Sequence, residues 1–237
     1  MVDFSRTERL IGQKNLNILK NSKVCLFGIG GVGGFTAEAL VRSGIGKLTV
    51  VDGDNVCASN INRQIIADTT TLGRAKIEVI KQRLLGINPN LELEAVNLFY
   101  LPENADRIDL TQFDYVIDAI DTVTAKIELA VRCNALGVNL ISCMGTGGKT
   151  EPELLTVIDV YKTSGCPLAR VMRSELKKRG IKSLKVVYSP EKTVNASKNC
   201  DNNEKRTPPS MIFVPGTAGF LLARTVVFDL IKGGENL

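Results

Sequence analysis

A glycine-rich run, Gly-Ile-Gly-Gly-Val-Gly at residues 28–33, is the feature that most constrains the fold of this chain. It follows a short apolar segment, residues 23–27, that predicts a buried strand, and it precedes a predicted helix at residues 35–41. A tight glycine turn between a strand and a helix lets backbone N–H groups and the helix N-terminus meet a phosphate. The pattern predicts a Rossmann-like unit whose phosphate-admitting glycines are Gly28, Gly30 and Gly33. The alternative is a close turn without a ligand.

Charged residues after the glycines indicate which nucleotide is bound. Asp52 ends a second predicted strand, residues 47–51, where an acid accepts hydrogen bonds from ribose hydroxyls of either NAD or ATP. Asp54 offers a hard oxygen ligand that suits Mg²⁺. Arg63 and Lys76 suit a triphosphate whose leaving pyrophosphate gains charge in the transition state. The alternative for these two cations is an exposed position on the surface.

The remaining pattern predicts an α/β fold with a doubly wound, mostly parallel sheet. A glycine loop at residues 145–149 follows a predicted strand and lacks the spacing of a Walker loop. Ligands of such sheets bind at the carboxyl ends of the strands, so this loop should face the cleft. The further predicted helices are residues 72–85, 126–136 and 220–231, and the further strands are residues 91–96, 113–120 and 139–144. The length of 237 residues fits one catalytic unit.

Composition excludes several classes of chemistry. The chain has no histidine, which excludes Ser-His and Cys-His catalysis and every histidine-based metal site. None of its six cysteines forms a Cys-x-x-Cys pair, which argues against structural zinc. Cys143, Cys166 and Cys200 are candidate nucleophiles, with inert thiols as the favoured alternative. The polar N-terminus and the charges within residues 220–231 predict a cytoplasmic protein without a membrane segment.

Residues 170–206 form a basic tract with eleven Lys and Arg against four acids, a net charge of +7 in a chain of +5. A basic tract of this density is typical of proteins that bind the phosphate backbone of a nucleic acid. The alternative is a solvated charged surface without a ligand. Tyr188 is a candidate for stacking on an unpaired base. Polar and proline content predicts a loop at residues 195–209, which would act as a lid over a cleft. The basic residues at helical spacing are Arg170, Arg173, Lys177 and Lys178.

Four motifs together carry a family resemblance. They are Gly-x-Gly-Gly-x-Gly, Asp-x-Asp-x-Val-x-x-Ser-Asn-x-x-Arg-Gln, Gly-x-x-Lys and Asp-Ala-Ile-Asp, within residues 6–144. The chain resembles the ubiquitin-activating-enzyme-like superfamily, whose bacterial members include the ThiF and MoeB adenylyltransferases. The resemblance implies that ATP and Mg²⁺ are the cofactors and that they are held by Asp52, Asn60, Arg63, Lys76 and Asp121, with Gln64 beside them. It also implies a homodimer in which Arg9 reaches the partner's site as an arginine finger, with Arg6 as the competing candidate.

The C-terminal half resembles one branch of that superfamily. Its motifs include Cys-Pro-Leu-Ala-Arg-x-Met-Arg-x-Glu-Leu-Lys and Val-Val-Tyr-Ser-Pro-Glu. They are similar to those of the tRNA threonylcarbamoyladenosine dehydratases, which extends the resemblance to nearly the whole chain. The resemblance implies that ATP adenylates the threonylcarbamoyl carboxylate of a tRNA, and that ring closure then releases AMP. Residues 161–210 would be a basic substrate-binding insert, and a cysteine-desulfurase-type sulfur-transfer partner is an open possibility.

Two other functions remain open from the sequence. The first is an adenylyltransferase that activates the C-terminus of a ubiquitin-like sulfur-carrier protein, against which the missing zinc cysteines and the basic tract argue. The second is a redox or non-catalytic NAD-binding module, which predicts NAD binding without Mg²⁺. Substitution of Arg63 or Lys76 would leave such a module unaffected.

Overall fold

The computed structural model of the chain describes residues 2–193 and 208–232. Its architecture is a seven-stranded sheet with helices on both faces. The strands are β1 Lys23–Phe27, β2 Lys47–Asp52, β3 Glu92–Asn97, β4 Tyr115–Asp118, β5 Asn139–Cys143, β6 Thr156–Asp159 and β7 Lys185–Tyr188. The helices are α1 Ser5–Ile11, α2 Gln13–Asn21, α3 Gly33–Ser43, α4 Lys76–Ile87, α5 Val123–Leu136, α6 Pro167–Lys178 and α7 Phe213–Lys232.

The sheet has the order β3-β2-β1-β4-β5-β7-β6, and every pair is parallel except β6 with β7. This confirms the predicted doubly wound, mostly parallel α/β fold. In the register, Phe27 of β1 lies beside Val51 and Asp118, and Asp118 lies beside Ser142 of β5. The four central strands therefore end at one edge, where the topological switch between β1 and β4 opens a crevice.

The predicted helix at residues 72–85 begins later than expected, at Lys76. Gly73 has φ +79°, which a continuous right-handed helix does not accept. Ala75 is extended and forms an isolated bridge with Asn55, and the Lys76 N–H donates to the Asp54 carbonyl at 2.9 Å. These pairings tie the residues before α4 to the segment after β2, and they bring Lys76 to the edge of the sheet.

Two further boundaries differ from the prediction near the crevice. The predicted strand at residues 113–120 is shorter, because Ile120 donates its N–H to the Asp118 carboxylate at 3.1 Å and turns the chain after β4. The helix predicted at residues 126–136 begins earlier, at Val123. The remaining predicted elements agree with the structure within a few residues, except that the predicted C-terminal helix is extended to Phe213 at its start.

Helix α7 is the one helix in the described residues that is long and apolar enough to cross a membrane, and 61% of its apolar stretch is buried within the fold. Its buried side chains belong to the main core cluster, and Gly219 brings it close to α3. A Cβ at Gly219 would lie 2.5 Å from the Val32 carbonyl oxygen, so the two helices meet at backbone distance. This packing is that of a core helix.

Candidate functional site

A cleft of about 470 Å³ opens at the carboxyl ends of the central strands. Its walls come from the glycine turn, the segments after β2, β3, β4 and β5, and the segment that leads into α7. The predicted nucleotide-site residues that line it are Gly28, Gly30, Asp52, Asp54, Asn60, Arg63, Gln64, Lys76 and Asp121. The fold thus brings together residues that are up to 93 positions apart in the chain.

The three predicted glycines have different environments. Gly28 has φ +88°, and a Cβ there would lie 2.6 Å from the Ala119 carbonyl oxygen. Gly33 is the first residue of α3 and is not among the residues that line the cleft; a Cβ there would lie 1.8 Å from the Gly28 carbonyl oxygen. Gly33 therefore allows α3 to pack on the turn. Gly30 lines the cleft, and no atom of residues 2–193 or 208–232 would lie within 4 Å of a Cβ there, so it leaves open the space that a phosphate needs.

Asp52 stands at the end of β2, where its carboxylate orders the turn. One oxygen accepts the Ile29 N–H at 2.6 Å and the other accepts the Asp54 N–H at 2.8 Å. Burial raises the pKa of Asp52 above its ordinary value, while the charge of Lys76 and the two backbone donors act in the opposite direction. Each oxygen keeps a free lone pair, which suits the ribose hydroxyls of a nucleotide.

Lys76 and Asp54 form an ion pair across the cleft wall. The Lys76 Nζ lies 2.7 Å from an Asp54 oxygen, with the lysine 5% exposed and the aspartate half-exposed. This pairing occupies one oxygen of Asp54, a predicted metal ligand, and both side chains line the same cleft as the glycine turn. A cation held in this way needs little reorganisation to meet an incoming phosphate.

Asn60, Arg63 and Gln64 lie in and after a 3₁₀ turn at Ala58–Asn60. The Asn60 side chain accepts the Cys57 N–H at 3.1 Å, and Arg63 Nη1 donates to the Ser59 carbonyl at 2.7 Å. Gln64 is buried, and its Oε1 has no hydrogen-bond partner among the described residues. These contacts fix the turn, and the Arg63 guanidinium and the Gln64 amide belong to residues that line the cleft.

Asp121 is exposed at the cleft, and its one hydrogen bond in the described residues is a 3.4 Å contact from Thr122 Oγ1. No group of three or more His, Cys, Asp or Glu side chains that would suit a metal occurs in residues 2–193 and 208–232. A divalent ion here would therefore take Asp121 together with phosphate oxygens and water, the coordination that Mg²⁺ prefers with nucleotides.

Sequence reasoning missed the wall formed by residues 98–101, which follow β3. Phe99 is 61% exposed and lies against Gly53, where a Cβ would be 2.5 Å from the phenylalanine ring. An exposed aromatic residue directly after a strand at the ligand edge was the available signal. This apolar wall lies beside Asp52, and apolar and aromatic lining of this kind is typical of small-molecule pockets.

The candidate nucleophilic cysteines are not exposed thiols where the structure describes them. Cys143 lines the cleft but is buried, and burial raises the pKa of its thiol to about 12. Cys166 is buried before α6, and Cys200 lies outside the described residues. A thiol with a raised pKa is protonated at neutral pH, so Cys143 is a poor nucleophile.

The predicted RNA-binding residues lie on α6, whose start borders the cleft through Leu168. Arg170 and Lys177 are exposed, and no ion pair involves them among the described residues. Lys178 pairs with Glu175 at 2.7 Å. Arg173 is half-buried and donates to the Thr163 carbonyl at 3.0 Å, so it stabilises the turn before α6.

Tyr188 is buried, 5% exposed, and its hydroxyl accepts the Ser164 N–H at 3.3 Å. The prediction that it stacks on an unpaired base is therefore wrong, because its ring belongs to the core cluster beneath α6. Most of the predicted lid at residues 195–209 lies outside the described residues. Pro208, near its far end, and Ser210, just beyond it, line the cleft.

Arg9 and Arg6 are exposed on α1, and neither lines the cleft of its own chain. Helix α1 packs against α2, on the chain segment before β1.

Comparisons with known proteins identify the family of this chain. The chain is 41% identical to the tRNA threonylcarbamoyladenosine dehydratase of Bacillus subtilis (strain 168), over 98% of this chain and 96% of that one. Structures of the E. coli tRNA N6-threonylcarbamoyladenosine dehydratase are 34% identical and cover 97% of this chain and 94% of theirs. The complex with AMP has a TM-score of 0.89, and the complex with ATP has one of 0.86. A model of the ThiF family matches residues 4–223, and the chain therefore belongs to the ThiF family.

Proposed function

We propose that this chain is an ATP-dependent tRNA threonylcarbamoyladenosine dehydratase. The observation that carries the proposal is a cleft that gathers the glycine turn, Asp52, Arg63, Lys76 and Asp121 at one edge of the sheet. The chain that forms this cleft is similar over nearly its whole length to dehydratases, one of which has been solved with ATP.

ATP would lie along the cleft with its ribose at Asp52. The base would contact the apolar wall at residues 98–101, on the side of β3. The phosphates would lie over Gly28 and Gly30, within reach of Arg63 and Lys76. Each part of the nucleotide then meets the chemistry it requires: a carboxylate for hydroxyls, apolar surface for the base, and N–H groups and cations for phosphates.

The reaction begins when a carboxylate oxygen of the threonylcarbamoyl group attacks the α-phosphorus and pyrophosphate leaves. Arg63 and Lys76 stabilise the negative charge that grows on the phosphates. The carboxyl group now carries AMP as its leaving group. A nucleophilic atom of the same carbamoyl group bonds to the activated carboxyl carbon, the bond from that carbon to AMP breaks, and the carbamoyl group loses one proton. The ring closes, and the former carboxylate oxygen departs on AMP.

Mg²⁺ would be held by Asp121, because its carboxylate is exposed at the cleft and has one weak contact. Asp54, the second predicted ligand, is engaged by Lys76 and serves here to orient that lysine. Bound Mg²⁺ would neutralise charge on the phosphates of ATP.

We propose a homodimer in which Arg9 acts in the partner's cleft. Its position away from its own cleft supports action in trans. Phe213 and Phe220 are 58% and 54% exposed and lie seven residues apart, on one face of α7, which provides apolar surface for a second copy.

Mixing the Arg9→Ala variant with the Lys76→Ala variant tests whether Arg9 acts in the partner's cleft. If equal amounts of the two variants pair at random, about half of the dimers are heterodimers, and each has one intact site, so about a quarter of wild-type activity should return. If Arg9 acted in its own chain, no site would be intact and no activity would return.

The tRNA would approach along α6, within the proposed insert at residues 161–210. Arg170 and Lys177 are seven residues apart, about 10 Å along the helix, on the same face. Their exposed charges suit phosphates of an RNA backbone, whereas Lys178 is already paired with Glu175. The insert also contains β7, which lies between β5 and β6 in the sheet, so the binding surface is attached to the rigid core.

The competing function is activation of a sulfur-carrier protein. The sequence lacks the Cys-x-x-Cys pairs that many such enzymes carry, and its basic tract favours RNA. A sulfur-transfer partner and a cytoplasmic location stay predictions from the sequence.

Release of AMP and pyrophosphate tests the proposal. Wild-type protein is incubated with ATP, Mg²⁺ and either tRNA that carries threonylcarbamoyladenosine or the same tRNA without the modification. The proposal predicts AMP release with the modified tRNA alone. AMP release with a ubiquitin-like carrier protein, and none with modified tRNA, would assign the competing function.

A further inference from the structure

A buried ion pair lies directly beneath the cleft. The side chains of Asp118, at the end of β4, and Lys126, in the first turn of α5, are both fully buried, with Nζ 2.9 Å from Oδ2. Ser142 of β5 donates its hydroxyl to the same carboxylate oxygen. Two opposite charges and a hydroxyl therefore occupy the interior between the sheet and α5.

This pair binds both backbone polar groups of Ile120. The Asp118 Oδ1 accepts the Ile120 N–H at 3.1 Å, and the Lys126 Nζ donates to the Ile120 carbonyl at 3.0 Å. The preceding residue, Ala119, donates its N–H to the Phe27 carbonyl at 2.8 Å. The turn at residues 119–120 is thus held from below by the end of β1 and by the ion pair.

Asp121 follows this turn directly. Among the residues that the structure describes, its side chain has only the long contact with Thr122, so these contacts of its carboxylate do not determine where it lies. The position of that carboxylate in the cleft depends instead on the backbone of Ile120. A buried pair of charges is a weak source of stability, since apolar residues of the same volume commonly stabilise a core as well or better.

We propose that Asp118 and Lys126 are positioning residues that hold Asp121 where it meets the metal–nucleotide complex. The inference rests on the role of Asp121 in the proposed function. Neither side chain touches the substrate, and both act through the Ile120 peptide groups.

The test measures ATP affinity by calorimetry at a series of Mg²⁺ concentrations, without tRNA. Lys126→Met removes the donor to Ile120 and keeps the volume of the side chain. The paired variant Asp118→Asn with Lys126→Met leaves no buried charge, and it provides the measurement if the single variant does not fold. Leu129→Ala is the matched control, because Leu129 is fully buried on the same helix and lies in the apolar cluster beneath the sheet.

The proposal predicts that the Mg²⁺ concentration for half-maximal ATP affinity rises about 10–100-fold in both Lys126 variants, the range for lost outer contacts of a metal site. Leu129→Ala should lower the melting temperature and leave that concentration unchanged. Asp121→Ala should then lower ATP affinity less in the Lys126→Met background than in the wild type, because Lys126 acts by positioning Asp121.

An unchanged Mg²⁺ requirement in the Lys126 variants would overturn the inference. It would also be overturned if the losses of ATP affinity in Lys126→Met and Asp121→Ala were fully additive, or if ATP binding by the wild type did not depend on Mg²⁺. These results are distinguishable from failure of the proposed function. A protein that binds ATP with this Mg²⁺ dependence and leaves tRNA unmodified refutes the dehydratase assignment alone.

Discussion

Gly30→Ala should separate nucleotide binding from folding. In the part of the chain that the structure describes, a Cβ at this position would have nothing within 4 Å, and the backbone of Gly30 is outside the left-handed region. Alanine at such a site stabilises a protein by about 0.4–1 kcal/mol through the unfolded state. For a chain of this size the melting temperature should rise by about 1–4 °C.

The same methyl group would occupy the open space above the turn, where the proposed account places the phosphates of ATP. We expect the Kd for ATP to rise at least tenfold, a loss of about 1.4 kcal/mol. Calorimetry with ATP and thermal melting of the same sample measure the two effects together.

Two other glycines provide controls. Gly86, in α4, also has no described neighbour within 4 Å of a Cβ, so Gly86→Ala should raise the melting temperature and leave ATP affinity unchanged. Gly33→Ala should prevent normal folding, because its Cβ would lie 1.8 Å from the Gly28 carbonyl oxygen. If Gly30→Ala bound ATP with wild-type affinity, the phosphates would not approach this turn and the reasoning would be refuted.

Three further predictions follow from the site. Lys76→Ala should lower kcat/KM for AMP formation by about 10²–10³-fold; turnover within threefold of wild type would remove this lysine from the mechanism. Arg170→Ala and Lys177→Ala should each reduce the slope of log affinity for tRNA against log salt by about 1, whereas Lys178→Ala, paired with Glu175, should change it less. Because burial raises the pKa of Asp52 above its ordinary 3.8, ATP affinity should fall on acidification before an ordinary aspartate would protonate. Asp52 protonates at a higher pH in the folded state than in the unfolded chain, so its contribution to folding stability rises as the pH falls, while ATP affinity decreases. If ATP affinity of Asp52→Asn depended on pH as that of the wild type does, this explanation would be contradicted.

Local patterns predicted the parts of the structure that local chemistry determines. The strand at residues 23–27, the glycine turn and the position of Asp52 all follow from apolar runs and from the backbone freedom of glycine. The cleft was predictable because parallel strands end at a common edge, which places residues that follow different strands side by side.

Contacts between distant segments determine what the sequence did not predict. Lys76 begins α4, and the segment before it is not helical, because Ala75 pairs with Asn55. The basic spacing on α6 could not reveal that Arg173 would bind the Thr163 carbonyl. The pairing of Asp118 with Lys126 likewise depends on α5 packing over β4, which no periodicity in the sequence records.

The most direct test of the central claim is the mass of one nucleoside. The protein is incubated with ATP, Mg²⁺ and tRNA that carries threonylcarbamoyladenosine, and the digested nucleosides are then weighed by mass spectrometry. The account predicts that this nucleoside loses one water, and only when ATP is present. An unchanged mass, with ATP bound and the tRNA intact, would contradict the dehydratase function.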